Sequence, residues 1–154
     1  MKVLMVCLGN ICRSPMAEGI LKRQVAEAGL QWTVDSAGTG HWHAGEKPDP
    51  RAISTARRAG TDISNQVARQ ISPGDLALFD LILAMDLSNL RNLQALDAGA
   101  EHRSKIQLVS AWAFPGEDVE IPDPYYGGEE DFAQVYRLLE QCCQSLVEQV
   151  GGAS

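Results

Sequence analysis

The sequence predicts an α/β protein, a three-layer sandwich in which a four-stranded parallel β-sheet carries helices on both faces. Short apolar runs of strand character alternate along the chain with longer segments of helical periodicity. Strands that alternate with helices form parallel sheets that are covered on both sides. The chain has 154 residues, of which 45% are hydrophobic, and this size suits one domain with one sizeable core. We therefore expect a single domain over residues 1–154.

The first strand and the first helix flank a short polar loop. The aliphatic run "KVLMV", residues 2–6, predicts a buried strand. Pro15 suits the first turn of a helix with Ser14 as its N-cap, and Gly29 ends that helix. Residues 16–28 carry an apolar stripe at helical spacing, formed by Met16, Ile20, Leu21 and Val25.

The next part of the chain holds a strand, a loop and two helices. The run "LQWTVDSAG", residues 30–38, predicts a second strand that ends at its glycine. Glycine and proline mark residues 39–50 as a loop. Pro50 opens a helix that reaches about residue 59 and stops at Gly60, and residues 72–79 predict a short capped helix.

The second half of the sheet follows the same alternation. Residues 80–85 predict the third strand, Asp86 caps a helix that follows it, and residues 105–109 predict the fourth strand. A long acidic loop covers residues 114–131. The last helix, residues 131–150, has an apolar face made of Phe132, Val135, Leu138, Leu139, Cys142, Leu146 and Val150. Cys142 and its neighbour Cys143 either both pack this helix, or one packs and one faces outward.

Composition and charge exclude several classes of function. With 13 basic and 20 acidic residues the net charge is −7, which disfavours non-specific nucleic-acid binding. No apolar run approaches the roughly 20 residues that span a bilayer, and the short apolar start lacks a signal-peptide cleavage pattern. The four cysteines form no secreted disulfide framework and show no zinc-ligand spacing. We expect a cytoplasmic protein without membrane contact.

The loop "CLGNICRS" has the pattern of a phosphoryl-transfer site. A loop between a strand and a helix exposes backbone N–H groups to an anion, and the helix N-terminus adds a favourable dipole. The same field would favour a thiolate on Cys7. Arg13 could hold two phosphate oxygens, and Gly9 lets the backbone approach the ligand closely. The competing interpretation is a buried cysteine at a strand end with a surface arginine.

Later segments decide between these interpretations, because the sequence resembles the low-molecular-weight protein tyrosine phosphatases over nearly its whole length. The phosphate loop of that family is similar to "VCLGNICRSPMAE". Its later segments are similar, in order, to "DSAGTGHWHAGEKPDPRA", "ARQI", "FDLILAMDLSNLRNL" and "DPYYGGEEDF". The resemblance implies that family's fold, with flavodoxin-like topology, and hydrolysis of phosphotyrosine or aryl phosphates, with acid phosphatase activity on small substrates as an addition.

The resemblance also implies a role for each motif residue. Cys7 would form a phosphocysteine, Arg13 would bind the phosphoryl group, and Asp123 would act first as general acid and then as general base. The phosphate-binding loop would comprise Leu8, Gly9, Asn10, Ile11, Cys12, Arg13 and Ser14. Ser14 would stabilise the thiolate, and Asn10 would hold the loop by a hydrogen bond to Ser36.

The implied substrate slot is aromatic. It would be formed by Leu8, Trp42, Tyr125 and Tyr126, and its depth would favour phosphotyrosine over phosphoserine. Cys12 is either a small buried residue or, by the resemblance, the thiol that forms a reversible disulfide with the nucleophile. The sequence departs from many family members at Gln66, where they carry a histidine that joins the network behind the loop.

Cofactors and partners follow from the same resemblance. We expect no cofactor and no metal, since His41 and His43 lie two residues apart without a third ligand. The partners would be phosphotyrosine proteins, with phosphate or other oxyanions as inhibitors, and the chain would be a monomer or weak dimer. Two alternatives fit less well. A thioredoxin-coupled arsenate reductase needs further cysteines after the third strand, where this chain has none, so arsenate reduction is left only as a secondary activity. A non-catalytic phosphate-binding or phosphotyrosine-binding module would have lost Cys7 or Asp123, and both are present.

Overall fold

The computed structural model describes residues 1–152. Its four strands form one sheet in the order β2-β1-β3-β4, and all three neighbouring pairs are parallel. The strands are β1 (Lys2–Cys7), β2 (Thr33–Gly38), β3 (Leu81–Ala84) and β4 (Ile106–Leu108). The predicted α/β class and the four parallel strands are confirmed.

Helices follow the strands in the predicted alternation. They are α1 (Arg13–Glu27), α2 (Pro50–Arg58), α3 (Pro73–Leu78), α4 (Leu87–Leu96) and α5 (Glu129–Leu146), with short 3₁₀ helices at Arg103–Lys105 and Val109–Trp112 and a π-helical turn at Val147–Gly151. Among residues 1–152, no helix combines the length and the apolar character needed to cross a bilayer.

The alternating side chains of β1 divide the core between the two faces of the sheet. Val3 and Met5 are fully buried in a cluster with side chains of α1 and α5. Leu4 and Val6 are fully buried in a second cluster with side chains of α3 and α4. Because successive side chains of a strand point to opposite faces, the fully apolar β1 can be buried on both, and the sheet becomes the middle layer of three.

The order of the strands places a crevice at the carboxyl end of β1. This strand pairs with β2 on one side and with β3 on the other, which is the arrangement where ligands bind in open α/β sheets. Cys7 is the last residue of β1 and lies opposite Gly38. A Cβ atom on Gly38 would come within 2.7 Å of the carbonyl oxygen of Leu8, so the close approach of the two chains requires glycine there.

The predicted N-cap of the first helix is wrong. Helix α1 begins at Arg13, and Cys12 occupies the N-cap position without a side-chain cap. Ser14 is the second residue of the helix, and its hydroxyl lies 3.0 Å from the sulfur of Cys7. The Ser14 hydroxyl therefore contacts Cys7 and does not cap the helix.

Strands β1, β3 and β4 and the end of α5 differ from the predicted bounds by one to four residues, and two further boundaries differ for local reasons. The second strand begins at Thr33 and not at residue 30, because the amide of Leu30 still donates to the carbonyl of Val25 and closes the end of α1. The last helix begins at Glu129, two residues early. There the carboxylate of Asp131 accepts a hydrogen bond from the amide of Gly128 at 2.8 Å and caps the first turn.

Candidate active site

The loop between β1 and α1 wraps its polar groups around the sulfur of Cys7. Asn10 has a φ of 57°, a left-handed conformation that asparagine tolerates better than most residues. This turn directs the amide of Asn10 to the sulfur of Cys7 at 3.3 Å, and the hydroxyl of Ser14 lies 3.0 Å from the same sulfur. Cys7 is only 3% exposed, so one thiol is held among donors at the base of the crevice.

A chain of hydrogen bonds supports this loop from behind. The side-chain amide of Asn10 donates to the hydroxyls of Ser14 and Ser36, both at 2.9 Å. Ser36 in turn donates to a carboxylate oxygen of Glu18 at 2.6 Å. Because Ser14 accepts from Asn10, its own proton remains free to point at the sulfur of Cys7. The predicted contact of Asn10 with Ser36 is present.

Arg13 is held from one side by fixed acceptors. Its Nη1 donates to Oδ2 of Asp86 at 2.7 Å and to the carbonyl of Ile121 at 2.9 Å. Its Nη2 lies 4.0 Å from Oδ2 of Asp123. Asp86 also accepts from the amide of Asn89 and caps α4, as the sequence predicts. Its contact with Arg13 was not predicted, and it fixes the guanidinium on the crevice side.

A cavity of about 250 Å³ opens above this loop. It brings together every residue predicted to react or to line the slot: its walls are formed by Cys7, Leu8, Gly9, Ile11, Cys12, Arg13, Trp42, His43, Asp123, Tyr125 and Tyr126. Trp42 and Tyr126 are 65% and 95% exposed, so they form the rim, whereas Cys7 and Arg13 are buried at the base. The predicted Asn10, Ser14 and Ser36 lie behind the wall.

One wall residue was not predicted. His43 lines the cavity, and its Nδ1 lies 2.9 Å from a carboxylate oxygen of Glu46. A Cβ atom on Gly9 would come within 3.0 Å of the His43 ring, so the glycine leaves room for this imidazole. In residues 1–152, no group of three or more His, Cys, Asp or Glu side chains is arranged to hold a metal ion.

Comparison with known proteins identifies this arrangement. A family model described as low molecular weight phosphotyrosine protein phosphatase matches residues 2–153. The chain belongs to this family. A low molecular weight phosphotyrosine protein phosphatase of Schizosaccharomyces pombe is 42% identical over 97% of this chain and 96% of its own length.

Solved structures of other phosphatases share the fold. A protein tyrosine phosphatase from Entamoeba histolytica, with Hepes in its active site, has a TM-score of 0.90 and 37% identity over 100% of this chain and 99% of its own. A Drosophila arginine phosphatase has the same TM-score and identity over the full length of both chains. The predicted family resemblance is therefore confirmed.

In this low molecular weight phosphatase, Gln66 stands where many family members carry a histidine that joins the network behind the loop. Its side-chain amide donates to the carbonyl of Pro15 at 3.0 Å, away from the pair formed by Asn10 and Ser36. The acceptor that completes that pair is Glu18, which is only 4% exposed. The sequence contained a signal for it, because Glu18 follows Ser14 by four residues and so shares its face of the helix.

Proposed function

We propose that this phosphatase hydrolyses phosphotyrosine in proteins through a phosphocysteine on Cys7, with Arg13 binding the phosphoryl group and Asp123 moving the proton. One observation carries the proposal: a single cavity is lined by Cys7, Arg13 and Asp123, and a carboxylate oxygen of Asp123 lies 4.0 Å from Nη2 of Arg13. The family is one of phosphatases that act on phosphoproteins, so phosphate and similar oxyanions should compete for this cavity.

The first step transfers the phosphoryl group from oxygen to sulfur. The thiolate of Cys7 attacks phosphorus, and the bond from phosphorus to the tyrosyl oxygen breaks. The leaving oxygen takes a proton from the carboxylic acid of Asp123, which avoids expulsion of a basic phenolate. Arg13 and the loop amides stabilise the charge that spreads over the three remaining phosphoryl oxygens. The products are the protein with an unmodified tyrosine side chain, a phosphocysteine and the carboxylate of Asp123.

The second step returns the enzyme to its starting state. The carboxylate of Asp123 takes a proton from water, and the oxygen of that water attacks phosphorus as the sulfur leaves. Ser14 supports this departure, since its hydroxyl lies 3.0 Å from the sulfur and can donate to the reforming thiolate. Inorganic phosphate leaves, Asp123 is protonated again and Cys7 is free.

The shape of the cavity supports an aryl substrate. Cys7 lies at the base, while Trp42 and Tyr126 form the rim. A phenyl ring between these aromatic side chains gains apolar contact while its phosphate reaches the sulfur. The short side chain of phosphoserine would leave its peptide backbone pressed against the rim before its phosphate reached the base.

Substrate comparison tests this function. We expect kcat/KM for a phosphotyrosine peptide to exceed that for the matched phosphoserine peptide by on the order of 10²-fold or more, with EDTA present and with inorganic phosphate as a competitive inhibitor. Because one similar structure is that of an arginine phosphatase, a phosphoarginine peptide belongs in the same assay. Faster turnover of phosphoarginine or phosphoserine than of phosphotyrosine would contradict the proposed substrate.

We further propose that Cys12 protects the nucleophile by forming a reversible disulfide with it. Both thiols line the same cavity, and all four cysteines are reduced. Burial, with the nearby charge of Asp49, raises the pKa of Cys12, so its own thiol stays protonated at neutral pH. Hydrogen peroxide would oxidise Cys7 to a sulfenic acid with release of water. The thiol of Cys12 would then attack the sulfenic sulfur, forming the disulfide and expelling a second water.

Peroxide treatment separates this role from simple packing. We expect the wild type to lose activity and to recover it with dithiothreitol, whereas Cys12→Ser should not recover, because its sulfenic acid proceeds to the sulfinic acid. Peptide mapping should find the Cys7–Cys12 disulfide and leave Cys142 and Cys143 reduced. Both of these side chains are fully buried, so both pack α5 and neither faces outward. Burial also raises the pKa of Cys142 to about 11. Equal recovery of both proteins would contradict the protective role.

A further inference from the structure

We propose that Arg51 is a positioning residue for Asp123, and that it sets the efficiency of proton transfer by fixing the acid loop, residues 121–128, to the phosphate loop. The proposal rests on the function proposed above, in which Asp123 is the general acid. Arg51 lies in the first turn of α2 and does not line the cavity. It therefore acts through the backbone that carries Asp123.

One end of Arg51 holds the acid loop by its main chain. Its Nη2 donates to the carbonyl of Tyr125 at 2.9 Å, and its Nη1 donates to the carbonyl of Gly127 at 3.3 Å. The guanidinium also lies over the ring of Phe132, 4.7 Å from its centroid, and 5.5 Å from the centroid of the Tyr125 ring. The guanidinium thus donates to the carbonyls two and four residues after Asp123 and lies against two aromatic rings.

Arg51 also binds Asp49, and Asp49 is hydrogen-bonded to the phosphate loop. Arg51 donates from Nε to Oδ1 of Asp49 at 3.1 Å and from Nη2 to Oδ2 at 3.0 Å. The amide of Asp49 donates to the carbonyl of Ile11 at 2.8 Å. Hydrogen bonds from Arg51 hold the pKa of Asp49 below its usual range, so the pair stays ionised at neutral pH. A continuous chain of contacts therefore joins the acid loop to the loop that binds phosphate.

Asp123 itself has few contacts that could fix its position. Its Oδ1 accepts from the amide of Tyr125 at 3.1 Å, and its Oδ2 lies 4.0 Å from Nη2 of Arg13. Its side chain is 48% exposed, so its placement depends on the backbone of the acid loop. A displacement of about 1 Å at a reacting group can cost on the order of 10²-fold in rate. Release of the Tyr125 and Gly127 carbonyls would permit such a displacement.

A merely structural role for Arg51 predicts a different outcome. The ion pair of Arg51 with Asp49 is exposed on the arginine side, and such pairs contribute little to stability. Its loss would lower the rate for all substrates alike or leave it unchanged. A misplaced general acid instead penalises substrates in proportion to how much their leaving group needs the proton. The dependence of kcat/KM on the leaving group therefore distinguishes the two roles, because kcat/KM reports the step that breaks the bond to the leaving oxygen.

The experiment compares two aryl phosphates in Arg51→Met. Phenyl phosphate releases a weakly acidic phenol, as phosphotyrosine does, and p-nitrophenyl phosphate releases a much stronger acid. We expect kcat/KM for phenyl phosphate to fall about 10²-fold and that for p-nitrophenyl phosphate to fall less than about tenfold. Arg51→Lys keeps the charge but loses the fork, and should show a smaller fall of the same kind.

Arg58→Met is the matched control. Arg58 lies on the same helix, and its only ion pair within residues 1–152 is with Glu129 at 3.6 Å, so both substrates should keep their wild-type kcat/KM. Thermal unfolding of all variants shows whether the fold is kept, and Arg51→Lys serves as the test if Arg51→Met unfolds.

Two results would overturn the proposal for Arg51: equal losses for the two substrates, or no loss for either. Asp123→Asn separates this failure from a failure of the proposed function. If Asp123→Asn shows the steep leaving-group dependence and the Arg51 variants do not, only the positioning role is wrong. If Asp123→Asn shows no such dependence, Asp123 is not the general acid, and both proposals fail.

Discussion

Replacing Cys7 by serine is expected to abolish hydrolysis of aryl phosphates and phosphotyrosine peptides, with a loss on the order of 10⁶-fold, the scale of removing a covalent nucleophile. A serine hydroxyl stays protonated at neutral pH, and no base capable of removing its proton contacts the Cys7 sulfur, whose partners are the Asn10 amide and the Ser14 hydroxyl. The substitution is nearly isosteric, so the loop should keep its shape.

Steady-state hydrolysis and phosphate binding together check this prediction. Cys7→Ser should still bind inorganic phosphate, which is measurable by calorimetry, because the loop amides and Arg13 remain. Cys142→Ala is the matched control, since Cys142 is buried in α5 away from the cavity, and it should keep wild-type turnover once its fold is verified. Substantial hydrolysis by Cys7→Ser would show that the reaction proceeds without the cysteine.

Replacing Asp123 by asparagine is expected to lower kcat/KM for phosphotyrosine by about 10²–10⁴-fold, the usual contribution of a positioned acid or base. The amide can neither donate the proton that the leaving phenolate needs nor accept one from water. With p-nitrophenyl phosphate the first step needs little protonation, while the second still lacks its base. Phosphoenzyme should therefore accumulate with this substrate.

Rapid-quench kinetics measure that accumulation, and Asp118→Asn, just before the acid loop, is the control. Asp118 is exposed and has a φ of 50°, which asparagine tolerates equally well, so its replacement should leave kcat/KM unchanged. An Asp123→Asn variant with wild-type kcat/KM for phosphotyrosine would show that another group moves the proton.

Local features of this fold were predictable from the sequence because they depend on neighbouring residues. The first strand, predicted to within one residue of its end, the proline-opened α2 and the cap of α4 by Asp86 each follow from patterns only a few residues long. The start of α1 was misplaced because Ser14 has the right chemistry for a cap, and only its contact with Cys7 shows where its hydroxyl is used. A capping pattern does not show that the hydroxyl is used by a residue of the preceding strand.

The parts of the site that escaped prediction are contacts between distant segments. The pairing of Arg13 with Asp86 joins residues 73 positions apart, and the hold of Arg51 on the Tyr125 carbonyl joins residues 74 positions apart. The spacing of apolar residues does not predict such pairs, because they arise from the strand order, which brings distant loops together at one edge of the sheet. The predicted reacting residues converge in the cavity, but the side chains that fix them there had to be found in the structure.

The most direct test of the phosphocysteine is its isolation. Asp123→Asn should be mixed with p-nitrophenyl phosphate, quenched during turnover and digested, and the phosphorylated peptide should be located by mass spectrometry and its linkage identified by phosphorus NMR. We expect the phosphoryl group on the sulfur of Cys7, and none in the Cys7→Ser, Asp123→Asn double variant. A phosphoryl group on any other residue, or turnover without a phosphoenzyme, would contradict the mechanism.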